Sequence, residues 1–98
     1  KYLIMSDTIY YKILNKDLKH HGFQYKLGLN IDTEKFNPLG RGQPGGLYFT
    51  NKENIIYYLD YGIYIAELTI PDDVQVYEDP FGDNWKADKI IINKILSY

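Results

Sequence analysis

The amino-acid sequence predicts an α+β domain with a small mixed or mostly antiparallel sheet and one main helix. Three observations predict it. Residues 8–14 and 63–70 are dense in β-branched and aromatic side chains, the composition of strands. The run Pro44-Gly45-Gly46-Leu47-Tyr48-Phe49-Thr50 reads as a loop entering a short strand. Thr50-Asn51-Lys52-Glu53, which begins on the last residue of that run, has the spacing of a helix capping box.

Residues 8–14 place Ile9, Tyr11 and Ile13 on one face, a half-buried strand pattern, and Asn15-Lys16-Asp17 supplies turn chemistry after them. Residues 23–27 alternate again, with Phe23, Tyr25 and Leu27 on one side and Gly22 and Gly28 as breakers, and the strand pattern resumes through residues 29–31. Residues 32–46 form a long loop holding Pro38, Pro44 and four glycines; a loop of this length inside a small domain raises a functional expectation.

Residues 47–49 read as a short strand. The Thr50 hydroxyl is expected to cap a helix through residues 54–61, with Glu53 reaching back and Gly62 as its left-handed stop. Residues 63–70 are the clearest strand and end at Pro71, with a shorter strand at residues 75–77. Asp79-Pro80-Phe81-Gly82 has the residue preferences of a type I turn. A final strand covers residues 89–92, and residues 93–98 form an exit segment.

A chain of 98 residues, 45% of them hydrophobic, supports one domain with a modest core. It begins with Lys, not Met, so the expectation is the N-terminal part of a longer chain. No cysteine is present, which excludes a disulfide framework and thiolate metal sites. No apolar run approaches the ~20 residues of a membrane-crossing helix, so no membrane partner is expected.

A net charge of −2 argues against a general nucleic-acid binder. The charge is uneven: residues 1–30 carry +3, and residues 72–88 carry −5. The eleven tyrosines suit half-buried strands and interaction surfaces equally, because each covers apolar area while keeping a hydroxyl for water or a partner.

Candidate chemistry is sparse. His20 and His21, as neighbours on a strand, would point to opposite faces and make a poor metal pair. Asp72, Asp73, Asp79 and Asp83 lack the ligand spacing of a calcium loop and read as loop-solvating acids. Arg41, the only arginine, lies among Gly40, Gly42, Gln43, Gly45 and Gly46, a setting in which exposed N–H groups and a guanidinium could hold a phosphate or carboxylate. The glycine spacing matches neither a Walker loop nor a dinucleotide fingerprint.

Two resemblances follow from these residues. His21-Gly22-Phe23-Gln24-Tyr25-Lys26-Leu27-Gly28-Leu29-Asn30, the Pro44–Thr50 run, Tyr64-Ile65-Ala66-Glu67-Leu68-Thr69-Ile70-Pro71, Val76-Tyr77-Glu78-Asp79-Pro80 and Lys86-Ala87-Asp88-Lys89-Ile90-Ile91 occur in one order along the chain. In this the chain resembles an N-terminal module of uncharacterised mimivirus-group giant-virus proteins, many of which continue into ankyrin repeats. That resemblance implies a viral origin and a setting in the host cytoplasm, viral factory or virion; it implies no reaction.

The step from Gly46 through Thr50 into a helix and a strand also resembles ADP-ribosyltransferase folds. This second resemblance implies NAD as cofactor, Tyr48 stacking on nicotinamide, Lys12 or Arg41 on the pyrophosphate, and Glu67 or Glu78 as the acid. The first reading is a non-catalytic interaction module with no cofactor. It presents the Gly/Pro/Arg loop and a tyrosine-rich face to a host or viral protein through Lys12, Arg41, Gln43, Gly45, Gly46 and Tyr48. The alternatives are the NAD-using enzyme and a structural component of the virion or nucleoprotein.

Overall fold

The structure, a computed structural model, describes residues 8–39 and 43–97. Arg41 therefore lies outside the described residues. In chain order the strands are β1 (Tyr10–Leu14), β2 (Lys19–His20), β3 (Phe23–Gln24), β4 (Gly28–Ile31) and β5 (Leu47–Phe49). A 3-10 helix (Ile55–Tyr61) follows, then β6 (Tyr64–Thr69), β7 (Val76–Glu78), β8 (Trp85–Ala87) and β9 (Lys89–Ser97). Every strand pairing among the described residues is antiparallel. The strand orders are β1-β6-β9-β4, β5-β8-β7 and the small hairpin β2-β3.

Register decides which face of the large sheet is buried. Tyr10 pairs with Leu68 and Lys12 with Ala66, so Tyr10, Lys12 and Leu14 look into the core with Ala66, Leu68, Ile90 and Ile92. This reverses the face expected for β1: Ile9 is exposed and Tyr11 half-buried, although Ile13 is buried from the other side. The alternation of β1 is nearly symmetric in apolar content, and only pairing with β6 selects a side. Each fully buried Leu or Ile here contributes about 1.5–3 kcal/mol by leaving water.

The helix departs most from expectation. It is a seven-residue 3-10 element with no buried residue, and no α-helix occurs among the described residues. Its sequence, IIYYLDY, combines β-branched and aromatic residues that resist helix formation. The capping box does not form. The Thr50 hydroxyl donates instead to the Asp83 carbonyl at 2.6 Å, and Thr50 bridges to Tyr11. Asn51 Oδ1 accepts from the Asn54 backbone N–H at 3.0 Å in the turn before the helix, whose own N-cap residue, Asn54, makes no side-chain cap hydrogen bond.

Gly62 is not left-handed either, having φ 172°. A Cβ there would lie 2.1 Å from the Leu14 carbonyl oxygen, so close approach to β1 is what requires glycine.

Smaller differences have local causes. β3 stops at Gln24, after which Tyr25 is buried and Leu27 exposed. Asn30 Nδ2 donates to the carbonyls of Lys26 and Gly28, and its Oδ1 accepts from the Lys26 N–H, holding the turn into β4. Residues 79–82 form the expected turn, closed by Gly82 N–H to the Asp79 carbonyl at 2.7 Å. Asp79 is not a solvating acid: it is 1% exposed, and its Oδ1 accepts from the Phe81 N–H. β8 lies in a stretch for which the sequence suggested no element, and β9 runs on to Ser97, through the expected exit segment, past a bulge opposite Glu67/Leu68.

Candidate functional site

Two clefts meet at Tyr48. The smaller, about 230 Å3, lies between β1, the 3-10 helix and the β2-β3 hairpin. The larger, about 850 Å3 and open, lies between that hairpin, β4 and the segment of residues 32–46. His20, His21 and Tyr48 line both.

The smaller cleft is built on Lys12. Its side chain leaves the inward face of β1, and the residue is 3% exposed. Nζ donates to His20 Nδ1 at 2.7 Å and to the Tyr48 carbonyl, and lies 5.0 Å from the centre of the Tyr25 ring. Among the described residues no carboxylate compensates it there. Burial therefore lowers its pKa to about 7, because the charged form loses hydration it cannot replace.

His20 is likewise held neutral. Its pKa is lowered to about 3, first by burial, then by the positive charges of Lys12 and His21. The turn between β2 and β3 explains its company: His21 and Gly22 have φ values of 51° and 80°. Leaving the strand at His21 lets the two imidazoles lie side by side, ring centres 4.0 Å apart, where opposite faces had been expected. Tyr61 stacks on His20 at 5.7 Å, Tyr58 meets Tyr61 edge-on at 5.7 Å, and Asn84 Nδ2 reaches Tyr58 Oη at 3.4 Å. These four side chains make one wall.

The larger cleft is organised by Lys86, which is fully buried on β8. Its Nζ donates to the carbonyls of Leu39 (3.2 Å) and Gln43 (3.4 Å) and lies within 6 Å of the rings of Phe36, Tyr48 and Tyr77. Burial lowers its pKa, opposed by the negative charge of Asp32. Gly46 donates to Asp32 Oδ2 at 2.7 Å, and a Cβ there would lie 2.6 Å from Lys86 Cδ, so glycine is what lets the loop close over this lysine.

Of the residues singled out from sequence, Gln43, Gly45, Gly46 and Tyr48 come together along the larger cleft, where the Tyr48 hydroxyl donates to the Gln43 carbonyl at 2.8 Å. Lys12 and Tyr48 meet in the smaller one. Glu67 and Glu78 line neither. Glu67 pairs with Tyr11 and Lys94 on the outer face of the large sheet, and Glu78 is exposed at the end of β7. Sequence reasoning passed over Tyr58, Tyr61, Asn84 and Lys86. None carries a motif, and the one available signal was a lysine and an asparagine beside Trp85 in a stretch given no element. No group of three or more His, Asp or Glu that could hold a metal occurs among the described residues.

The homologues of this chain are mimivirus proteins, most of them named for ankyrin repeats and the others uncharacterised. An ankyrin-repeat-named protein of Acanthamoeba polyphaga mimivirus is 42% identical over 93 residues, covering 90% of this chain and 46% of that protein. An uncharacterised protein of the same virus is 45% identical over 71 residues, 70% of this chain and 51% of that protein. A second ankyrin-repeat-named protein is 40% identical over 90% of this chain but only 16% of its own length. The chain thus spans about half, or less, of the relatives it matches. No protein-family model and no solved structure matches it.

Proposed function

We propose that this chain, a module shared with mimivirus proteins, is a non-catalytic protein-interaction module whose partner docks along β4 and the loop that follows it. One observation carries this reading. Leu27, Leu29 and Ile31 alternate along β4 and its approach, and they are 62%, 46% and 54% exposed. β4 is the edge of its sheet, and the exposed face of an antiparallel edge strand ordinarily carries polar or charged residues.

An exposed apolar row beside free backbone hydrogen-bonding groups suits a partner chain added as a further strand. The loop anchored by Lys86 continues directly from Ile31, so edge and loop offer one surface. The ankyrin-repeat names of the relatives are in keeping with protein recognition.

The test is capture from infected cells followed by binding of the purified captured protein. Leu29→Lys combined with Ile31→Lys should abolish saturable binding at unchanged melting temperature. Equal binding by the double variant, or no purified protein that binds saturably, overturns the reading.

One observation favours a second reading, an NAD-using ADP-ribosyltransferase or glycohydrolase: Tyr48 lines both clefts with Lys12 against its carbonyl. The acids of that reading, Glu67 and Glu78, stand away from Tyr48. Incubation with labelled NAD that yields neither hydrolysis nor saturable binding ends it.

A further inference from the structure

The backbone of β4 is paired on one side. The Asp32 N–H donates to the Asp88 carbonyl at 2.9 Å, and Asn30 and Gly28 stand opposite Ile90 and Ile92 of β9. Successive residues of an antiparallel strand turn their N–H and C=O groups to alternate sides. Gly28, Asn30 and Asp32 therefore face β9, while Leu29 and Ile31 present their backbone groups to the free edge.

Leu29 and Ile31 also line the larger cleft, whose other sides are residues 20–26 of the hairpin and residues 43–48. The cleft is thus a bounded space beside an unpaired strand edge. Its volume of about 850 Å3 falls within the ~300–1,000 Å3 of ligand clefts and suits one extended chain.

Charge gives this space a direction. Among the described residues that line it, the lysine and acidic side chains are Lys26, Asp32 and Glu34. Asp32 Oδ2 is committed to the Gly46 N–H at 2.7 Å. Lys26 and Glu34 are both exposed, and neither forms a salt bridge among the described residues. Lys35, exposed beside Glu34, does not line the cleft.

The two charges stand at opposite ends of β4. Lys26 precedes it, with its N–H and C=O both held by the Asn30 side chain. Glu34 follows it, with its N–H held by Asp32 Oδ1 at 3.2 Å.

We propose that the larger cleft takes a single extended segment of the partner, running antiparallel to β4. Its apolar side chains lie opposite Leu29 and Ile31, with a basic residue on its N-terminal side at Glu34 and an acidic residue on its C-terminal side at Lys26. This rests on the reading that a partner docks along β4, and adds the form, direction and charge order of what enters.

Antiparallel entry matches every strand pairing among the described residues and is the slightly stronger kind of pairing. A uniformly acidic or uniformly basic segment would be repelled at one end. Backbone bonds to Leu29 and Ile31 supply affinity without regard to sequence, and the apolar row and end charges select.

The experiment compares two blocked peptides of equal composition by NMR titration of the chain at low salt. One is Lys-Thr-Thr-Val-Thr-Val-Thr-Thr-Glu, and the other is its reverse, Glu-Thr-Thr-Val-Thr-Val-Thr-Thr-Lys. Saturable shifts of the Leu29 and Ile31 backbone amides with the first, roughly tenfold tighter than with the second, support the proposal. Lys26→Glu combined with Glu34→Lys, both at exposed positions, should reverse the preference.

No saturable shift with either peptide at millimolar concentration overturns the proposal. So does equal binding of the two, tighter binding of the reverse peptide, or a preference unchanged in the double variant. A chain that sediments as a dimer, with its Leu29 and Ile31 amides closed to both peptides, assigns the edge to a second copy and also overturns it. If the peptides fail while Leu29→Lys with Ile31→Lys still abolishes binding of the purified captured protein, this proposal falls and the docking reading stands. If that binding is indifferent to the pair as well, both fall.

Discussion

Lys12 Nζ lies 2.7 Å from His20 Nδ1, joining the middle of β1 to the end of β2 beneath the smaller cleft. Two basic groups in contact survive burial only if one stays neutral, and here His20 does. A charged Lys12 only donates, so Nδ1 accepts from it and the ring proton sits on Nε2.

Lys12 should make stability rise with pH. Its folded pKa of about 7 lies below its ordinary 10.5, so the unfolded chain binds the extra proton between those values. The contribution is full above pH ~10.5 and lost as pH falls through about 7. Urea unfolding at pH 7 and 9 should differ by on the order of 2 kcal/mol, each pKa unit being about 1.4 kcal/mol. Lys12→Met should flatten that difference; an unchanged slope would assign it to other groups.

His20 should make the fold acid-sensitive. Its pKa is depressed from 6.5 to about 3, so its contribution is present above pH ~6.5 and disappears as pH falls toward 3. Ring nitrogen shifts should show His20 neutral and protonated on Nε2 at pH ~5, where an ordinary imidazole is already cationic. A titration midpoint near 6.5 would mean that the ring is not buried against Lys12.

Gly62 and Gly82 should respond unequally to the same change. Gly62→Ala drives a Cβ to 2.1 Å from the Leu14 carbonyl, backbone that cannot yield cheaply, and should cost roughly 3 kcal/mol or more or prevent folding. Gly82→Ala meets nothing within 4 Å and carries only the left-handed penalty at φ +74°, about 1–2 kcal/mol. Thermal unfolding of the two variants checks the order.

Thr50→Val should cost about 1–3 kcal/mol, because the buried Thr50 hydroxyl and its 2.6 Å bond to the part-buried Asp83 carbonyl are lost. Glu53→Ala should lie within about 0.5 kcal/mol of wild type, since Glu53 is exposed and the capping box is not formed. A large Glu53 effect with a small Thr50 effect would restore the capped-helix account.

Much of the strand content was legible in the residues themselves. Residues 8–14 and 63–70 are dense in β-branched and aromatic residues, and Asp79-Pro80-Phe81-Gly82 carries its turn chemistry locally, so these elements follow from short-range preferences. The region 50–62 misled because Thr50 and Glu53 have the right spacing while residues 55–61 have poor helix propensity, and a tertiary acceptor, the Asp83 carbonyl, lies 33 residues away. β8 was hidden for a related reason: Trp85, Lys86 and Ala87 become a strand only between β5 and β7.

By itself the sequence determined an antiparallel-leaning strand content, the irregular course of residues 32–39 and 43–46, the absence of cysteine chemistry and the resemblance to mimivirus proteins. Tertiary structure alone decided which face of β1 is buried, that two lysines are core residues, and that His20 and Asn84 look into one cleft. The physical reason is that burial is a property of pairs distant in the chain. Lys12 and Lys86 are surface residues by composition and become core residues only where carbonyls, an imidazole and aromatic rings from five other segments close around their ammonium groups.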